Sequence, residues 1–230
     1  MDLKILSGGA ANGLVTALTP AFTAATGMGI AGDFGAVGGM RDRILDGEAV
    51  DIVILTRAII DGLAKAGHVD PVTVADVGTV VTGVAVKEGK PQADVSSAAA
   101  LAEALRGADV IYAPDMVKST AGIHFARVLD SLGVADVVAD RLRSFPNGQT
   151  AMAAMAAADD ASALGCTQIT EILNTPGVSY CGALPDPHGL KTVYTAAIGA
   201  RSDARDAVAT LIGLLTAPEN AGIRASAGFA

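Results

Sequence analysis

Short apolar runs alternate along this chain with stretches in which apolar residues recur every three or four positions, and glycine-rich joints separate them. Residues 3–6 (Leu3-Lys4-Ile5-Leu6) read as a strand, Ser7-Gly8-Gly9-Ala10-Ala11-Asn12 as a turn, and residues 13–26 as a helix that stops at Gly27. The unit then repeats: a strand over 28–34, the turn Gly35-Ala36-Val37-Gly38-Gly39, and a helix over 40–45. Residues 50–55 (VDIVIL) form a continuous apolar run, the pattern of a strand buried on both faces of a parallel sheet. That run ends at Thr56-Arg57, before a short helix over 58–66. Helices between strands predict a mostly parallel sheet, whose ligands bind beyond the carboxyl ends of the strands.

From residue 78 the rhythm changes. Residues 79–86 (TVVTGVAV) are long and β-rich, as expected of a strand that carries the chain from one lobe into another. A helix over 98–105 precedes the stretch around which the chain is organised, 112–129. There an apolar β run breaks at Pro114-Asp115, and Ser119-Thr120-Ala121-Gly122 opens a helix. The N–H groups at such a start have no partner inside the helix and face outward with the positive end of its dipole. Further on, the pattern predicts a helix over 134–143, a helix over 151–158 capped by Thr150, and a strand from 163 ending at Thr167-Gln168. A helix over 169–173, strands over 178–184 and 190–198, and closing helices over 203–215 and 219–225 complete the chain. Residues 190–198 are the return crossing. The expected domains are a discontinuous lobe 1 (1–82 plus 192–230) and lobe 2 (83–191), with a cleft formed by two lobes and two crossings.

The 230 residues suffice for one large domain or two small ones. Apolar residues make up 51 % of the chain, yet no run approaches the roughly 18 continuous apolar residues of a membrane span, so a soluble protein without membrane insertion is expected. The net charge of -8 and the lack of a Lys/Arg cluster argue against a nucleic-acid partner. A small anion remains compatible, because helix N-termini and one or two Arg act locally. Met1-Asp2 leads straight into the first strand without a leader, so a cytoplasmic protein is expected; if a leader has been removed, the location is periplasmic and a permease is the partner. Cys166 and Cys181 lack CxxC spacing and read as buried free thiols, or as a disulfide if the chain is exported. The three His lack metal-ligand spacing, and there is no Walker loop, nucleophile elbow or dinucleotide fingerprint, so neither a metal nor a cofactor is expected.

The order LSGGAANGL, GDFGAVGGMRDRILDGEAVDIVILT, GVAVKEGKPQADVSS, STAGIHFARVLDSLGV and TQITEIL resembles the molybdate-binding-protein-like branch of the type 2 periplasmic binding proteins, a branch that includes aconitate isomerase. The resemblance implies an α/β fold of two lobes with two hinge crossings and an interdomain ligand cleft. It also implies ligand-facing turns at Ser7, Gly8, Gly9 and Ala10; at Ala36, Val37, Gly38 and Gly39; at Thr56 and Arg57; at Ser119, Thr120 and Ala121; and at Gln168. The second turn lacks the hydroxyls with which molybdate binders meet their ligand. Arg57 and Arg41 point instead to planar carboxylates, which a guanidinium meets with two parallel hydrogen bonds.

Proton transfer on a carboxylate would suit such a site. His124, about one turn into the anion-site helix, is a candidate base, and Asp115 and Glu171 are candidate partners. Each also has a plainer reading, as a helix histidine, a turn-former and a solvated helix residue respectively. The leading expectation is an isomerase that shifts a double bond or interconverts cis and trans forms of a small unsaturated di- or tricarboxylate. The alternative is a non-catalytic binding protein for a small oxyanion or carboxylate, the solute-binding component of a transporter.

Overall fold

The first apolar run is buried from both sides. The computed structural model describes residues 2–230; Met1, with which the expected lobe 1 begins, lies outside the described residues. Strand β1 (Asp2–Gly8) buries Leu3, Ile5 and Leu6 completely. A 3-10 turn at Gly9–Ala11 leads into α1 (Asn12–Thr26), which ends at Gly27 with a φ of 70°, a left-handed conformation that glycine adopts without strain. Then β2 (Gly29–Gly35), α2 (Val37–Leu45), β3 (Ile52–Thr56) and α3 (Arg57–Lys65) repeat the strand–turn–helix unit twice. β1 lies between β2 and β3 and is parallel to both, an arrangement that requires crossovers such as α1 and α2. Ile52, Val53, Ile54 and Leu55 have no exposed surface, as their unbroken apolar run demands.

The chain divides into two compact units, Met1–Val80 with Thr192–Ala230 and Val81–Lys191. β4 (Ala75–Lys87) carries it from the first into the second. There follow α4 (Ala98–Gly107), β5 (Val110–Pro114), α5 (Thr120–Ser131), α6 (Ala135–Val138), β6 (Leu142–Phe145), α7 (Gly148–Ala157), β7 (Ala163–Gln168), α8 (Ile169–Leu173) and β8 (Val178–Ala183). β5 is central, parallel to β6 and to β7; β4 runs antiparallel to β7 and β8. Successive strand residues point to opposite faces, which gives this unit two cores. Val84, Ile111 and Leu164 join Leu101, Leu105, Phe125 and Leu129 on one face, and Ala85, Tyr112 and Ala163 join Met152, Met155 and Ile172 on the other.

The helix expected over 134–143 is shorter than its pattern. It ends at Val138, and after a 3-10 turn at Ala139–Arg141 the chain becomes β6. Pairing with β5 overrides the helical spacing, and Phe145 stacks on Tyr112 with ring centroids 5.7 Å apart. Asn147 rather than Thr150 is the N-cap of α7, and the two residues cap each other reciprocally.

β9 (Lys191–Ile198) brings the chain back to the first unit, antiparallel to β3, with Ile52 opposite Ile198 and Thr56 opposite Tyr194. The closing helices are α9 (Arg205–Thr216), which packs on α1, and α10 (Ala221–Ser226). The expected parallel pairing holds for β2-β1-β3 and for β6-β5-β7, whereas β4, β8 and β9 pair antiparallel. No helix among the described residues is long and apolar enough to cross a membrane.

Candidate functional site

In the first unit the carboxyl ends of β1, β2 and β3 lie side by side, with Gly8 paired to Gly35 and Thr56 to Tyr194. Tyr194 is 3 % exposed and stands edge-on to Phe229. Its ring lies over Gly8, where a Cβ would come within 2.8 Å of both Tyr194 Cε1 and Val37 Cγ1. Gly8, in the turn after β1, therefore lies between Tyr194 and Val37, and at the end of β3 Thr56 pairs with Tyr194. Sequence reading passed over this residue; its signal was a lone aromatic among the small and β-branched residues of the return strand.

The helices that leave these turns begin without a side-chain cap. Ala36, the N-cap of α2, cannot supply one, and Thr56, the N-cap of α3, does not. In α2 the first helical bond runs from Met40 N–H to the Ala36 carbonyl (3.0 Å), so the N–H groups of Val37, Gly38 and Gly39 precede it. Ser7 is fully buried and its hydroxyl donates to the Gly8 carbonyl at 3.0 Å. Arg41 lies farther along α2 and donates twice to Oδ1 of its neighbour Asp42 (3.0 and 2.7 Å). Arg57 is half-exposed and held by two carboxylates, Asp61 at 3.1 Å and Asp76 at 2.7 Å. Asp76, which lies on β4, also accepts the Thr195 hydroxyl of β9 at 2.7 Å. Its partial burial works to raise the carboxyl, but the Thr195 hydroxyl and the Arg57 guanidinium outweigh it and hold Asp76 below the usual carboxylate range. Asp76 and Thr195 were not legible as partners of Arg57, because the network joins residues far apart in sequence.

In the second unit the matching turn follows β5. Ser119, 8 % exposed, is the N-cap of α5, yet its hydroxyl caps nothing, and the first helical bond comes from Ile123 N–H (2.9 Å). The N–H groups of Thr120, Ala121 and Gly122 lie ahead of that bond. Asp115 is a turn-former: its Oδ1 accepts the backbone N–H of Val117 (2.7 Å) and Lys118 (2.8 Å), bonds that keep the carboxyl below its ordinary range. His124, half-buried on α5, bonds through Nε2 to the His188 carbonyl at 2.7 Å. A carbonyl only accepts, so Nε2 carries hydrogen and the acceptor of the neutral ring is Nδ1.

Gln168 ends β7, is 2 % exposed and is the N-cap of α8. Opposite it on β4 stands Thr82. The buried hydroxyls of Thr82 and Thr170 have no hydrogen-bond partner among the described residues, a state that costs each about 1–3 kcal/mol. Neither was read from the sequence, where a strand or helix threonine carries no mark. Glu171 is not on a solvated face. It is 5 % exposed, and its Oε2 accepts the Thr167 hydroxyl at 2.5 Å. Burial pushes its carboxyl above the ordinary range against the pull of Thr167 and of the backbone N–H groups of Gly148, Gln149 and Gln168.

A family model for bacterial extracellular solute-binding protein matches residues 3–230. The chain is 26 % identical over 227 residues to an aconitate isomerase of Pseudomonas sp, a match that covers 95 % of this chain and 84 % of that protein. Among solved structures, the periplasmic molybdate-binding protein of Azotobacter vinelandii superposes with a TM-score of 0.80 at 17 % identity, over 100 % of this chain and 99 % of that one. The sulfate-binding protein SubI of Mycobacterium tuberculosis gives 0.75 at 19 % identity, over 100 % and 86 %. These likenesses establish the expected two-lobe α/β periplasmic-binding-protein fold. With the family match running from the first strand to the last residue, the chain belongs to the bacterial extracellular solute-binding proteins.

Proposed function

We propose that this protein binds a small carboxylate-bearing anion through the helix starts at its strand ends. The observation that carries this reading is that α2, α3 and α5 begin at the ends of parallel strands with no side chain on their first N–H groups. Two of them, α3 and α5, have a Thr or Ser in the N-cap position. A hydroxyl placed to cap and not capping leaves donors for an incoming anion and adds one of its own. The named ligands of the structural neighbours, molybdate and sulfate, are small oxyanions. Here the second turn has no hydroxyl, and Arg57 stands next to the third, which favours a planar carboxylate.

A second reading rests on one observation, the Pseudomonas relative named as an aconitate isomerase. In that reading the bound acid is an unsaturated di- or tricarboxylate and the protein moves one of its protons. Of the three candidate proton carriers, Asp115 and Glu171 are engaged by backbone N–H groups, and His124 Nδ1 is the remaining acceptor. An isomerase suits a cytoplasmic protein, and a binding component suits an exported one that delivers to a permease.

A proton NMR time course with cis-aconitate, trans-aconitate and related unsaturated diacids in deuterated buffer separates the two readings, alongside thermal shifts with the same acids, molybdate and sulfate. Stabilisation by a diacid without turnover is the expected result. Interconversion or deuterium uptake establishes the isomerase; a response to molybdate or sulfate alone removes the carboxylate.

A further inference from the structure

α7 follows β6 as α5 follows β5, yet its first turn has no amide to offer. A helix start leaves four N–H groups without helical partners. In α7 these are Asn147, Gly148, Gln149 and Thr150, and side chains of the second unit meet all four. Asn147 N–H donates to Thr150 Oγ1 (3.3 Å) and Thr150 N–H to Asn147 Oδ1 (2.9 Å). The N–H groups of Gly148 and Gln149 face the carboxyl of Glu171, which arrives from α8, takes the Thr167 hydroxyl and lies against Gly148. The fit is built from both sides. A Cβ on Gly148 would stand 2.0 Å from Glu171 Oε2 and 1.9 Å from Thr167 Oγ1, so only glycine leaves room for the carboxylate.

We propose that Glu171 is a specificity-determining residue: a resident carboxyl group that fills the N-terminal cradle of α7 and withholds this helix from any anion that the protein binds. The withholding rests on the reading that helix starts at strand ends receive the ligand; occupancy of the cradle does not. In the second unit, donation to the ligand then falls to α5 and the Gln168 turn. The side chain at 171 sets how many oxygens of a ligand can be met, and a shorter residue there widens the range of anions accepted.

The test uses the full chain with Glu171→Ala and Glu171→Gln, and acetate against acetamide as probes. In the wild type the amides of Gly148 and Gln149 exchange slowly with no anion added. In E171A they exchange at least about tenfold faster, as first-turn amides without partners do, and acetate slows them again while acetamide does not. E171A also gains a saturable thermal shift with acetate that E171Q, whose cradle holds a neutral amide, lacks. Unprotected Gly148 and Gln149 amides in the wild type overturn the proposal, and that measurement stands even if E171A fails to fold. A folded E171A that gains no acetate response overturns it equally. If no diacid or oxyanion shifts the wild type, the functional reading falls while the exchange rates still decide whether Glu171 fills the cradle.

Discussion

Gly122 sets how closely α5 can lean on the end of β5. A Cβ there would stand 2.2 Å from the Asp115 carbonyl oxygen and 2.6 Å from that of Pro114, both backbone atoms with nowhere to move. Gly122→Ala is expected to destabilise the protein by about 1–3 kcal/mol, seen as a lower urea midpoint at unchanged slope. Gly213, inside α9, is the opposite case, with nothing within 4 Å of an added methyl. There Gly213→Ala should stabilise by about 0.5–1 kcal/mol. The two glycines look alike in the sequence, and only the space around them tells them apart. The same holds for Arg57, legible as a cation after a strand but not as the partner of Asp61 and Asp76. If a ligand carboxylate displaces those partners, Arg57→Ala should weaken diacid binding at least about tenfold, or about 1.4 kcal/mol, by calorimetric titration; unchanged affinity removes Arg57 from the site.

One ion network ties three elements of the first unit together. Arg43 of α2 holds Asp33 of β2 (2.6 Å) and Glu48 (2.6 Å), and Glu48 in turn holds Lys4 of β1 (3.1 Å). Hydrogen bonds from Arg43 and then Lys4 lower the Glu48 carboxyl from the ordinary 4.5 to about 2. The folded value lies below the unfolded one, so the contribution is complete above about pH 4.5 and fades as pH falls towards 2. Glu48→Gln should therefore flatten the acid limb of a stability–pH curve in that window and leave its slope above pH 5 unchanged. Elements of this kind were largely legible. Glycine-rich joints and apolar periodicity located β1 to α3, and also β7 with α8, because local pattern and burial agree there. β6 was not, since Leu142–Phe145 becomes a strand only by pairing with β5. Nor was the burial of Glu171, whose partners Gly148 and Gln149 belong to another helix.

The whole molecule carries a net charge of -8 and is proposed to take up an anion. Long-range repulsion and local attraction then separate by ionic strength, because screening shortens from about 30 Å at 0.01 M to about 8 Å at 0.15 M. The association rate of a diacid should rise as salt is added across this range, the reverse of electrostatic steering, and stopped-flow mixing would show it. Both cysteines of the chain are free thiols, and both belong to the second unit. Cys166 lies in β7 at 2 % exposure, its thiol pushed up by burial, while Cys181 is half-buried on β8. A thiol reagent reaches Cys166 only when β7 comes away from its neighbours, so its labelling rate is a clock for the second unit in which the first is silent. An anion that slows the clock is held by the folded second unit; one that raises the melting temperature and leaves the clock running is held by the first alone.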